Sequence, residues 1–181
     1  MTKPLGTIRV VVFDRDGTLV DDVPYNGDPA RVVARHGADA AVAAARARGL
    51  ETAVATNQSG IARGYLTVDE VDRVNRRVDE LFGPFDAWAV CPHGPDDGCR
   101  CRKPAPGLLL DVARATGSAP SAMLVVGDRS ADIGAARQAG SIGVLVPSPS
   151  TEPHAYELAD HVLAGLDELA PLLARLTRRA S

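Results

Sequence analysis

The chain has 181 residues, 45% of them hydrophobic and 24% charged, with a net charge of −3. That length suits one domain with a real core and is short for two. The mildly acidic balance lacks the basic footprint of a nucleic-acid binder, and no apolar run approaches the roughly 20 residues of a membrane-spanning helix.

The opening MTKPLGT has no signal-peptide layout and leads straight into a strand, so a cytoplasmic protein is expected. The first predicted strand, residues 8–13, is apolar and β-branched and ends in FDRDGTL, which places Asp14 and Asp16 just beyond it. An Arg/Ala-rich helix follows at about 37–48, with a solvated face over an apolar stripe and Gly49 at its end. The next strand, 51–55, opens into the polar loop Thr56-Asn57-Gln58-Ser59. Thr67 caps a helix over 67–82. A strand at 86–90 brings Phe85 and Trp88 into the core and leads to a loop, 91–103, that holds all three cysteines, Cys91, Cys99 and Cys101, together with Arg102 and Lys103. Pro106 lies near the first turn of a helix over 106–116 that ends at Gly117. The strand 122–126 leads through Gly127 to Asp128, and Ser130 is expected to cap a helix over 130–139 ending at Gly140. Strands at 142–146 and 160–163 and a helix over 165–177 complete the pattern, with a fraying tail at 175–181. The turn-rich stretch 147–155 receives no role. His36, His154 and His161 lie outside the motif loops and are expected at the surface or locally hydrogen-bonded.

Strands alternating with helices imply a three-layer α/β/α domain around a central parallel sheet, spanning 1–181. The loops after successive strands then share the carboxyl edge, where open α/β sheets bind ligands. Asp14, Asp16 and Asp128 on such loops make a hard oxygen site suited to Mg²⁺. Thr56 and the backbone amides of its loop could bind phosphate oxygens, or could form an ordinary turn. Lys103 as a point charge and Arg102 as a fork suit a phosphoryl group, or could be a solvated basic pair. Asp132 could be no more than a favourable charge at a helix start. Cys91, His93, Cys99 and Cys101 offer a full Cys₃His set, which leaves no open position and points to structural Zn²⁺. A Cys99–Cys101 bridge or free thiols are the alternatives. Loss of zinc should disorder the loop that carries Arg102 and Lys103.

Together these segments resemble the haloacid dehalogenase (HAD) superfamily of aspartate-nucleophile phosphatases. Asp14-x-Asp16-Gly17-Thr18 is similar to its first motif, Thr56 to the second, Lys103 to the third, and Gly127-Asp128 with Asp132 to the fourth. The resemblance implies a Rossmann-like fold in which Asp14 is the nucleophile and Asp16 the proton carrier. It also implies Mg²⁺ held by Asp14, the Asp16 carbonyl and Asp128, with Thr56 and Lys103 neutralising the phosphoryl oxygens. CPH…CxCRKPxPG with TNQSGIARG resembles the D-glycero-D-manno-heptose 1,7-bisphosphate phosphatases and the histidinol-phosphate phosphatases, small members without a large cap domain. That resemblance implies contacts with a small phosphorylated sugar at Asp22, Tyr25, Asn57, Gln58, Ser59 and Arg102, and Arg63 is a further cation near the site. Few aromatics and no apolar stripe beyond core needs make a monomer the default. The short His93–Cys99 spacing is nearer the histidinol-phosphate type, and Arg129 stands where a lysine is common. A polynucleotide 3′-phosphatase and a non-catalytic HAD-like binding module are the remaining alternatives.

Overall fold

The computed structural model describes residues 8–177. The N-terminal MTKPLGT and the end of the expected fraying tail, residues 178–181, lie outside the described residues. Six parallel strands form one sheet: β1 (Val10–Phe13), β2 (Glu51–Asn57), β3 (Ala87–Cys91), β4 (Met123–Gly127), β5 (Ile142–Leu145) and β6 (His161–Val162), in the order β3-β2-β1-β4-β5-β6. β1 has no polar face because both of its faces are covered. Val11 and Phe13 join a cluster with Ala41 and Val42 of α1 (Ala38–Arg46), Val74 and Val78 of α2 (Val68–Phe82), and Leu169 and Leu172 of α6 (Leu169–Thr177). Val10 and Val12 face Leu108 and Val112 of α3 (Gly107–Thr116) and Ala135 of α4 (Ser130–Ala139). The result is three layers, as the alternating pattern requires. Among the described residues no helix is long and apolar enough to cross a membrane.

Several local expectations need correction. β2 runs on to Asn57 because Thr56 and Asn57 pair with Val90 and Cys91, so the polar TN dipeptide belongs to the strand rather than the loop. Phe85 is a buried core residue that precedes β3. Ser130 is the first residue of α4 and caps nothing with its side chain. The carboxylate of Asp132 instead accepts the Arg129 N–H at 3.0 Å. The last helix begins at Leu169 after a single 3₁₀ turn, Leu166–Glu168. Pro171 explains the break: it has no N–H and its ring would clash with the carbonyl four residues back if an α-helix ran in from 165. Within 147–155 the chain starts a further short helix, α5 (Ala155–Leu158).

Chain order reverses between β1 and β4, which lie side by side. This is the switch point where the loops diverge and leave a crevice at the carboxyl edge. Between β1 and α1, residues 14–37 hold only a 3₁₀ turn, Pro29–Arg31, and isolated bridges, with no inserted domain over that crevice.

Candidate active site

The crevice is an open cleft of about 520 Å³ with Asp14 and Lys103 at its base. β1 delivers Asp14, and the chain then turns at once, with Gly17 N–H donating to Val20 O at 2.8 Å. Gly17 has φ +84°, and a Cβ there would sit 2.5 Å from Asp128 Oδ2, so only glycine lets this turn lie against the loop after β4.

Lys103 Nζ donates to Asp14 Oδ1 at 2.7 Å and to Ala55 O at 2.6 Å, and pairs with Asp132 Oδ1 at 2.6 Å. Its backbone is held as well: Asn57 Nδ2 donates to Lys103 O and Asn57 Oδ1 accepts Lys103 N–H, both at 3.1 Å. Asp128, fully buried, accepts Ser148 Oγ–H at 2.6 Å and Thr18 Oγ1–H at 3.4 Å, while Thr151 donates to its carbonyl at 2.5 Å.

Carboxylate oxygens of Asp14, Asp128 and Asp132 lie within 4.8 Å of one another. Burial raises the proton affinity of Asp14 well above the usual carboxylate range. Lys103 opposes that rise, while Asp132, Asp128 and Asp16 add to it. Burial pushes the Asp128 carboxyl up to about 6 against its hydrogen bond from Ser148. Burial alone would lower Lys103, but Asp132 and Asp14 outweigh it and hold the ammonium firmly protonated. One ammonium shared by two carboxylates leaves excess negative charge in a low-dielectric pocket of hard oxygen donors, a set that fits a divalent cation such as Mg²⁺.

Asp16 also lines the cleft but stands outside this carboxylate set. Its carboxylate accepts from Arg15 Nε at 3.1 Å, Arg15 Nη2 at 2.9 Å and Gln58 Nε2 at 2.7 Å. Gln58 also donates to the buried Thr56 Oγ1 at 2.8 Å. Asp22, Tyr25, Asn57, Gln58, Ser59, Arg63 and Arg102 all line the cleft. Asn57 and Gln58 are also tied into the protein, Asn57 to the Lys103 backbone and Gln58 to Asp16 and Thr56. Asp22 meets Arg129 Nη2 across the mouth at 3.4 Å.

The second cluster sits beside the first. Cys91, His93, Cys99 and Cys101 bring their donors within 4.8 Å of one another, and none forms a disulfide. The Sγ separations are 3.8 Å (Cys91–Cys99), 3.6 Å (Cys99–Cys101) and 3.0 Å (Cys91–Cys101). A tetrahedron with metal–sulfur bonds of about 2.3 Å has edges of about 3.8 Å, so the four donors could hold a metal ion with small adjustment. Burial pushes the Cys91 thiol up to about 12. At Cys99 burial raises the thiol, but the Arg102 N–H and hydrogen bonds with the Cys101 and Cys91 thiols together bring it below its ordinary value. Arg102 Nη1 donates to His93 O at 3.2 Å, and Gln58 N–H to Cys91 O at 2.7 Å, so this loop is bonded directly to the cleft.

The sequence reading missed five contributors. Arg15 and Asn75 are buried beneath the cleft, and Ser148, Thr151 and Glu152 come from the stretch given no role. Asn75 left a signal, a polar residue on the apolar face that Val71, Val74, Val78 and Phe82 define. Ser148 and Thr151 left none, because hydroxyls in a turn-rich stretch read as turn formers.

Comparison with known proteins agrees with this geometry. A HAD-hydrolase-like family model matches residues 100–169. The chain is 38% identical over 144 residues to a D-glycero-beta-D-manno-heptose-1,7-bisphosphate 7-phosphatase from Bordetella bronchiseptica, covering 77% of this chain and 80% of the relative. A Pseudomonas putida protein of the same name is 34% identical over 174 residues, 93% of this chain and 99% of the relative. Among solved structures, the B. bronchiseptica D,D-heptose 1,7-bisphosphate phosphatase complexed with magnesium and phosphate superposes with a TM-score of 0.80 at 30% identity, over 93% of this chain and 99% of that one.

Proposed function

The chain belongs to the HAD-like phosphatase family that includes the D-glycero-D-manno-heptose-1,7-bisphosphate 7-phosphatases, and on that footing we propose that it hydrolyses a heptose 1,7-bisphosphate to the heptose 1-phosphate and inorganic phosphate. The observation that carries this reading is the base of the cleft, where Asp14 and Asp132 share one ammonium, Lys103, and Asp128 completes the carboxylate set.

In the proposed mechanism an Asp14 carboxylate oxygen attacks phosphorus and the bond to the C7 oxygen breaks. Asp16 gives that oxygen its proton, so the sugar leaves as a neutral alcohol. Water then loses a proton to Asp16 and attacks the same phosphorus, which frees Asp14 and releases phosphate. Lys103 and Thr56 are assigned to neutralise the charge that builds on the phosphoryl oxygens. Mg²⁺ bound by Asp14, the Asp16 carbonyl and Asp128 would supply charge neutralisation and Lewis acidity. The presence of magnesium and phosphate in the similar B. bronchiseptica structure supports this assignment. Asp132 holds Lys103 in place and joins the carboxylate set that fits the cation.

Asp22, Tyr25, Ser59, Arg63 and Arg102 are assigned to the sugar and its second phosphate because they line the cleft above Asp14. The Cys/His cluster is assigned a structural Zn²⁺, since three soft thiolates and an imidazole make a closed tetrahedral set. The enzyme is read as a cytoplasmic monomer, which light scattering checks for the oligomeric state.

The deciding experiment is a steady-state screen of metal-replete enzyme against heptose 1,7-bisphosphates and histidinol phosphate. Turnover of a heptose bisphosphate well above histidinol phosphate is expected. No turnover of either heptose anomer would overturn the substrate assignment.

A further inference from the structure

Arg15 is the largest fully buried side chain among the described residues, with 1% of its side chain exposed. A buried guanidinium is costly unless its donors are matched. Here Nε and Nη2 fork onto the carboxylate of the next residue, Asp16, at 2.9–3.2 Å. Nη1 donates to Asn75 Oδ1 at 2.7 Å. Asn75 is a poor helix former on the buried face of α2, where apolar residues surround it. Its contribution there is the amide oxygen it offers to Arg15.

The geometry points to Arg15, anchored by Asn75, as the positioning residue for Asp16. The chain of contacts runs from the interior of α2 through Asn75 and Arg15 to the proton carrier. Gln58 fixes the same carboxylate from the β2 side at 2.7 Å. Asp16 sits on a turn, and turns are mobile. Two anchors, one on α2 and one directly after β2, keep its carboxylate within reach of the leaving oxygen, and misplacement of about 1 Å costs rate steeply. Arg15 borders the cleft but is almost wholly buried, and it acts through Asp16. This inference rests on the reading of Asp16 as proton carrier.

The test exploits leaving-group chemistry. An alkyl phosphate needs a proton delivered to its leaving oxygen, whereas the p-nitrophenolate of p-nitrophenyl phosphate leaves without one. Asn75→Ala, Asn75→Ser and Arg15→Lys are compared with wild type and Asp16→Asn on heptose 1,7-bisphosphate and p-nitrophenyl phosphate, with folding checked by circular dichroism. Asn75→Ser keeps a small polar group and provides a folded variant should the others lose structure. For the Arg15 and Asn75 variants, kcat on the alkyl phosphate is expected to fall by about tenfold or more. On the aryl phosphate it should change by less than about threefold, with KM within about twofold on both. Equal losses on the two substrates, or no loss on either, would overturn the positioning role while Asp16→Asn still discriminates between them. Should Asp16→Asn itself fail to discriminate, the proton-carrier reading falls first.

Discussion

Lys103 shows how tightly the site is balanced at the level of single residues. Its ammonium is buried and touches two carboxylates and a carbonyl. Removing one partner of a buried pair typically costs about 3–5 kcal/mol because the other charge is stranded. Lys103→Met is therefore expected to abolish turnover and to destabilise the metal-free protein by about that amount. The loss should grow as pH rises and Asp14 ionises. Urea unfolding in EDTA at pH 5 and pH 8 checks it, and a pH-independent loss would contradict the account. The polar residues at this base were legible because they directly follow apolar β-branched runs: Asp14 and Asp16 after β1, Asp128 after β4. Arg15 was not, since a cation between two aspartates gives no sign in sequence of whether it points into protein or water. Ser148 was equally hidden, because its partner Asp128 is 20 positions away in sequence and only the β4–β5 pairing brings them together.

At the scale of elements, the strand and helix alternation and most boundaries follow from local chemistry. The capping box of α2 is an example: Thr67 Oγ1 accepts the Glu70 N–H at 3.2 Å and Glu70 accepts the Thr67 N–H at 2.8 Å. Thr67→Ala should cost about 1 kcal/mol in chemical denaturation and leave kcat unchanged. Where boundaries moved, either tertiary pairing decided, as in the extension of β2 along β3, or a proline did, as at the start of α6. The Cys/His loop ties element to function. It supplies Lys103 and Arg102 and bonds to the β2 loop through Cys91 O and Pro92 O. Removing zinc with a strong chelator, then restoring excess Mg²⁺, should leave the sheet's circular dichroism intact while activity is lost. Activity that survives verified zinc removal would show that the loop keeps its shape without metal.

Across the whole molecule, the strand order brings the loops of β1 and β4 together and concentrates carboxylates at one edge, with a consequence for stability. In the metal-free protein the Asp128 carboxyl titrates near 6 instead of the usual 3.8. A raised carboxylate favours the folded state below its unfolded value, and that contribution is lost as pH climbs through about 6. The loss is on the order of 3 kcal/mol, with Asp14 adding in the same direction. Bound Mg²⁺ prefers the ionised groups, so its stabilising effect should rise with pH. Thermal melts with Mg²⁺ or EDTA are expected to differ more at pH 8 than at pH 5, and equal shifts would exclude this linkage.

The bare crevice has one more outcome. Residues 14–37 put no domain over Asp14, so nothing there would close over the departing sugar or shield a phosphorylated aspartate from solvent. Bulk water then becomes the prevailing acceptor, and a second alcohol has no closed site in which to compete for the phosphoryl group. In ¹⁸O-labelled water each released phosphate should carry one solvent oxygen, and added glycerol should capture almost none of the phosphoryl flux.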